Sequence, residues 1–162
     1  MELRDASSDD AAAIAAIYNP FVANTSISFE EEAVAEPEMR QRIAAVQDGG
    51  LPWLVALVDG NVAGYAYATK WRVRKAYRFA VEASVYVSPT HAGQGLGSAL
   101  YTALLARLGD GGIHMVIGGI ALPNAPSIAL HEKLGFTKVA HFSEVGQKFG
   151  RWIDVGYWER RL

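Results

Sequence analysis

The chain has 162 residues, 51% of them hydrophobic, and its 15 Lys and Arg against 17 Asp and Glu leave a net charge of −2. That length and composition suit one domain with a real core and exclude disorder. Cysteine is absent, which removes disulfides, Cys-based metal sites and a thiol nucleophile. The near balance of charge argues against a general binder of nucleic acid or membrane surfaces.

The opening run, Met1-Glu2-Leu3-Arg4-Asp5, lacks the basic-then-apolar order of a signal peptide. Apolar runs such as Ala11–Tyr18 and Met115–Leu122 fall short of the ~20 residues that a membrane-spanning helix needs. The expectation is one cytoplasmic domain over residues 1–162, with no metal and no nucleic-acid or membrane partner.

Ser7 and Asp10 stand at capping-box spacing before an Ala- and Ile-rich stretch. Ile14, Ile17, Tyr18 and Phe21 follow at helical spacing. Asn19-Pro20 predicts an end or a kink there, because proline disfavours the α conformation in the residue before it. A second helix is expected after Glu36-Pro37, with Met39, Ile43 and Val46 inward and Gly49-Gly50 as its stop. Trp53–Val58 and Val62–Thr69 read as strands joined by a turn at Asp59-Gly60-Asn61. Arg78–Val87 alternates strictly, with Val81, Ala83, Val85 and Val87 on one face and Glu82, Ser84 and Tyr86 on the other. Ser88-Pro89 ends that strand, and a glycine-rich turn runs from His91 to Gly97. Leu96, Leu100, Leu104 and Leu108 then mark one face of a helix. Met115–Leu122 reads as a buried strand, and Pro123–Pro126 opens a helix that stops at Gly135. Phe136–Val145 and Trp152–Arg160 close the chain as strands, giving one α/β domain.

The strand ending at Val87, the turn with Gly93, Gly95 and Gly97, and the following helix form one unit. Glycine lets backbone approach a ligand, its N–H groups can line an anion, and the helix N-terminus adds roughly half a positive charge. A pyrophosphate suits such a site, and tight packing alone accounts for the glycines equally well. The spacing is not a dinucleotide fingerprint, and no Gly-Lys-Ser/Thr follows as in a P-loop. By pattern Glu82 is a solvent-facing strand glutamate; in a desolvated cleft it would be a base. His131 is either an acid or base near neutral pH or a satisfied core histidine. His91, His114 and His141 lack metal-ligand spacing, and no Gly-x-Ser-x-Gly elbow is present. Lys70, Arg72, Arg74, Lys75 and Arg78 form a basic stretch, with no acid between Asp59 and Glu82. Such a stretch is a solvated loop or a clamp for one small acidic molecule, since guanidinium pairs carboxylate in bidentate fashion. Trp71 and Val73 would wall that clamp, and Phe29 is either a pocket wall or a core aromatic.

Val85-Tyr86-Val87-Ser88-Pro89 leads into Ala92-Gly93-Gln94-Gly95-Leu96-Gly97-Ser98, and Asn124-Ala125-Pro126-Ser127 and Leu130-His131-Glu132-Lys133-Leu134-Gly135-Phe136 follow. Over nearly the whole chain this resembles the GNAT family of N-acetyltransferases. Asn24-Thr25, Ser28-Phe29-Glu30, Trp71-Arg72, Tyr77-Arg78, Val81-Glu82 and Gly146-Gln147-Lys148-Phe149-Gly150-Arg151-Trp152 with Asp154 look like its phosphinothricin and methionine sulfoximine branch. The resemblance implies a mixed, mostly antiparallel twisted sheet, flanked by helices and splayed at a cleft for acetyl-CoA. It implies that Val85, Tyr86 and Val87 give backbone hydrogen bonds to the cofactor arm. Gly93, Gln94, Gly95, Leu96, Gly97 and Ser98 would cradle the pyrophosphate, and Asn124 and Lys133 would touch the rest. Ala92 stands where the family usually has Gln or Arg, so one contact is lost. Glu82 would be the base, and His131 stands where many relatives carry a tyrosine acid. Substrate contacts are implied at Arg72, Val73 and Arg74 and at Glu82, Ala83 and Ser84. The activity implied is acetyl transfer to the α-amino group of phosphinothricin, methionine sulfoximine or methionine sulfone, by direct attack, in a homodimer. The alternatives are a GNAT enzyme for a protein N-terminus or polyamine, or a CoA-binding module without turnover.

Overall fold

The computed structural model describes all of residues 1–162. In chain order the elements are β1 (Glu2–Asp5), α1 (Ala11–Asn24), α2 (Glu36–Asp48), β2 (Trp53–Val58), β3 (Asn61–Lys70) and β4 (Ala80–Val87). They continue with α3 (Leu96–Asp110), β5 (Met115–Ala121), α4 (Ala125–Lys133), β6 (Thr137–Lys148) and β7 (Arg151–Arg161). The strands make one seven-stranded sheet in the order β1-β2-β3-β4-β5-β7-β6. Every neighbouring pair is antiparallel except β4 with β5.

Alternation along the strands sends side chains to two cores. Leu54, Ala66, Ala68, Val81, Ala83, Val116 and Trp158 pack with Leu96, Leu100, Leu104 and Leu108 of α3. Trp53, Val55 and Tyr65 point the other way, against Ile14, Ile17, Tyr18, Val22, Met39 and Ile43 of α1 and α2. The face carrying Glu82, Ser84 and Tyr86 is therefore not open to water, as pattern alone would have it. Tyr86 lies edge-on to Tyr18 and Phe21 of α1, at 5.2 and 5.3 Å.

Only Ala80–Glu82 pair with Met115–Ile117 in the parallel β4–β5 ladder. Beyond that point β4 stays with β3 as far as Val87, while β5 stays with β7 as far as Ala121. The two halves of the sheet part there, which is the splay the resemblance implies.

Of the end or kink expected at Asn19-Pro20, the end does not occur: helix α1 runs through Pro20 to Asn24. Pro20 and Ala16, four residues earlier, are both exposed, so the carbonyl that loses its helical donor faces water. Burial of Ile17, Tyr18 and Val22 outweighs the local cost. Thr25 ends the helix instead, its N–H and hydroxyl both donating to the Phe21 carbonyl. The sequence carried no signal for β1, a four-residue strand too short to show alternation. Between β1 and α1, Asp10 accepts the Ser7 N–H at 2.8 Å and pairs with Arg4 at 2.7 and 2.9 Å. That arginine holds the Asp10 carboxyl below its usual range. The last strand pair is a hairpin turned by Phe149 and Gly150, both at positive φ, and β6 runs on to Lys148.

Leu104 is fully buried in the α3 cluster. Leu104→Ala is expected to lower the unfolding free energy by about 2–5 kcal/mol, the range for emptied leucine sites. Denaturant titration of both proteins checks it.

Candidate active site

Where the strands part, three cavities run into one another. A groove of about 580 Å³ follows the outer edge of β4 to the glycine turn. A waist of about 60 Å³ sits between β4 and β5. A chamber of about 500 Å³ opens on the α1 face. Ile27 and Tyr86 border all three.

The groove is built from backbone. Val85, Tyr86 and Val87 supply one wall, and Asn124 and Lys133 of the α4 region supply another. Gly93, Gly95, Leu96, Gly97 and Ser98 close its head, while Gln94 lies outside the lining. Gly93 and Gly95 adopt positive φ, 75° and 82°, which turns the chain sharply into α3. The space where their side chains would be is open. Helix α3 begins at Leu96, so the N–H groups of its first turn have no carbonyl of their own helix to meet. An anion is the natural partner there. Ala92 lines the groove with a methyl only. Asn124 also caps α4, its side-chain oxygen accepting the Ser127 N–H at 3.2 Å.

At the waist Ala83, Ser84, Tyr101 and His131 meet. His131 is buried. Its Nδ1–H donates to the Ser127 carbonyl at 2.7 Å. Nε2 must then accept, and it takes the Tyr101 hydroxyl at 3.2 Å. Burial pushes the imidazole below its ordinary pKa, so it is neutral at pH 7.

Glu82 and Ser84 line the chamber together with Phe29, Glu30 and Tyr157. A Cβ placed on Gly119 would lie 3.1 Å from Glu82 Oε1, so the carboxylate lies close over the β5 backbone. Burial raises the Glu82 pKa, and the nearby charge of Arg72 pulls partly the other way. Arg72 folds over the Trp71 ring at 4.0 Å, and Trp71 meets Tyr157 edge-on at 5.7 Å. Arg72 is thus near the mouth of the chamber. Val73 is 95% exposed, and neither it nor Arg74 lines a cavity of the site.

Glu30 is no rival base. Arg42 grips it at 2.6 and 3.0 Å and holds its pKa down. Tyr18 donates to it at 2.7 Å and takes the Ser28 hydroxyl at 2.6 Å. Sequence reasoning missed Tyr18, Ile27, Val155 and Tyr157 as lining residues. The one available signal was the Ser28-Phe29-Glu30 block beside Ile27.

Residues 3–156 match the acetyltransferase (GNAT) domain family. The chain belongs to the GNAT family of acetyltransferases. This acetyltransferase is 40% identical to L-methionine sulfoximine/L-methionine sulfone acetyltransferase of Salmonella typhimurium, over 100% of this chain and 95% of the relative. It superposes on the crystal structure of a phosphinothricin acetyltransferase from Sinorhizobium meliloti, in complex with acetyl-CoA. The TM-score is 0.96 at 41% identity, covering 99% of this chain and 88% of the other. A ribosomal-protein-alanine N-acetyltransferase structure from Brucella melitensis superposes with TM-score 0.98 at 36% identity, covering 100% of both chains. Acetyl-CoA fits what this GNAT enzyme offers: a long groove, an anion-binding turn at one end and a narrow waist at the other.

The raised Glu82 pKa has a cost to the fold. Above that pKa the carboxylate is charged in both folded and unfolded chains, but only the folded chain desolvates it. Glu82→Gln is therefore expected to unfold at higher denaturant than the parent at pH 7. The gain should vanish at acid pH, where Glu82 is neutral in both states. Denaturation midpoints at several pH values check the sign.

Proposed function

We propose that the chain transfers the acetyl group of acetyl-CoA to the α-amino group of a small amino-acid-like substrate of the phosphinothricin, methionine sulfoximine and methionine sulfone class. The observation that carries this is the continuous passage from groove through waist into a chamber containing a partly desolvated carboxylate. The chamber's volume suits a molecule of amino-acid size.

In this reading the acetyl donor lies along β4. That strand is paired with β3 on one edge, and beyond Glu82 its other edge has no β5 ladder. The free backbone groups at Val85–Val87 bind the amide-bearing arm and polarise the thioester carbonyl. Gly93 through Ser98, with Gln94 among them, hold the pyrophosphate, and Asn124 and Lys133 flank the arm. Glu82 takes the proton from the α-ammonium group, directly or through water. The freed amine attacks the carbonyl carbon, so a C–N bond forms and the C–S bond breaks. The thiolate leaves and takes a proton. That proton is the second one the nitrogen sheds on becoming an amide; His131, neutral with its Nδ1–H committed to Ser127, carries it through Nε2, the atom that otherwise takes the Tyr101 hydroxyl. Arg72, near the mouth of the chamber, holds the substrate's acidic end, with Ser84 and Phe29 lining the chamber and Ala83 at the waist, while Val73 and Arg74 stand outside the lining.

Acetylation of a protein N-terminus is the second reading, favoured by the name of the Brucella neighbour. An amine panel with thiol-release detection separates the two. Turnover of methionine sulfone and phosphinothricin is expected, and turnover of alanine-terminated peptides or polyamines alone would overturn our reading. kcat/KM is expected to rise with pH through a value above the usual carboxylate range, since Glu82 must lose its proton to act. Glu82→Gln should remove that rise and lower kcat by about 10²–10⁴. An acetyl-CoA-dependent enzyme works where that donor is made, and we place it in the cytoplasm.

We further propose a homodimer. β6 is an edge strand, and Val139, Phe142, Val145, Phe149 and Trp152 are 51–63% exposed along its hairpin with β7. Such a patch on a free edge calls for a partner. Light scattering is expected to give twice the chain mass, and Phe142→Ser with Trp152→Ser to halve it; a monomeric parent protein would refute the proposal.

A further inference from the structure

The block Gly146-Gln147-Lys148, at the end of β6, has no part in the acetyl transfer derived above. Lys148 is nevertheless 2% exposed. Its ammonium donates to the Val22 carbonyl at 2.7 Å and to the Ser28 carbonyl at 2.7 Å. It makes no ion pair with any carboxylate. Burial lowers its pKa, so the charge is held there against a penalty. An apolar residue would fill the same space without that penalty. What the ammonium adds is a pair of charge-assisted bonds to two fixed carbonyls.

Those carbonyls bracket one segment. Val22 lies in the last turns of α1, and Ser28 lies in the loop that follows. Two residues before Lys148, a Cβ on Gly146 would lie 2.5 Å from the Phe29 ring. The ring therefore rests against bare backbone of β6. The same loop carries Ile27, Ser28, Phe29 and Glu30 to the chamber, and Ile27 also reaches the waist. On its other side the loop is tied down by Tyr18 and Arg42 through Ser28 and Glu30.

We propose that Lys148 is a positioning residue for the amino-acid site, fixing the 25–30 loop as the chamber roof while Gly146 seats Phe29. The inference rests on the chamber being the acceptor site. Lys148 touches no reactant and acts only through the loop. Its loss therefore acts chiefly on the acceptor side: Ile27 is the loop's one contact with the donor groove, and the glycine turn at the groove head stays in place.

The test uses the full chain with Lys148→Met, which keeps length and apolar bulk and removes the donors. KM for methionine sulfone is expected to rise about tenfold, with kcat and the dissociation constant for acetyl-CoA changed by less than about twofold. Amide hydrogen exchange is expected to quicken at residues 25–30 and to stay unchanged in α3. Gly146→Ala, with Lys148 intact, should raise the same KM by displacing Phe29, and it carries the test if Lys148→Met does not fold. An unchanged KM with unchanged exchange in the loop overturns the proposal. So does an equal loss of acetyl-CoA and amine affinity, which marks a general loss of structure. If the parent protein acetylates no amino acid while the loop still loosens in Lys148→Met, the reading of the chamber fails and the latch itself stands.

Discussion

β4 and β5 run parallel for three residue pairs, Ala80–Glu82 against Met115–Ile117, and then part. A parallel ladder that continued would satisfy the backbone of both strands and leave no passage through the sheet. Each strand instead keeps its antiparallel partner on the far side, β3 for β4 and β7 for β5. The sheet is thus held together from both flanks while it opens in the middle. The free backbone of β4, the waist and the approach to Glu82 all follow from that one interruption. The last residue of β4 paired with β5 is Glu82 itself, so the proposed base is anchored at the vertex, between two ladders.

Sidedness does the rest. On the α3 face β2, β3 and β4 present small and aliphatic side chains, Leu54, Ala66, Ala68, Val81 and Ala83, and the helix packs against them. On the α1 face they present more aromatic and polar ones, Trp53, Tyr65, Tyr67, Glu82, Ser84 and Tyr86 among them. Trp53, Tyr65 and Tyr67 stack there at 4.1–6.2 Å, and Tyr86 extends the stack from β4 at 5.5 Å from Tyr65. This aromatic layer stops at the chamber, where Glu82 and Ser84 take over from Tyr86 along the same face. One strand therefore supplies core at one end and chemistry at the other, with no change of periodicity.

Much of this was legible in the sequence because the signals were local. The strict alternation from Val81 to Val87 placed Glu82 and Ser84 on one face, and the leucine spacing placed α3. The glycines marked the turn between them. Other features depend on distant parts of the chain and left no local trace. Glu82 reads as a surface residue until α1, α2 and the loop after α1 cover its face. Tyr157 and Ile27 are far apart in sequence and meet the same chamber only through the sheet order. Pro20 does not end α1, because burial of Ile17, Tyr18 and Val22 decides where a local rule would stop the helix. Val73 and Arg74 show the opposite limit: the resemblance implies substrate contacts there beside Arg72, but the segment leaves the sheet after Lys70 and leaves both exposed.

The waist has a consequence for the donor rather than the acceptor. About 60 Å³ separates the two larger spaces, and Ile27 closes it from the loop side. An acetyl group is short enough to sit there with its carbonyl against β4. Each further methylene would have to displace Ile27 or run forward into the space the amine needs. On the proposed reading, the constriction that admits the amine to the thioester is also a limit on the length of the acyl group, and Ile27 shares its lining with Tyr101, Ile120 and His131.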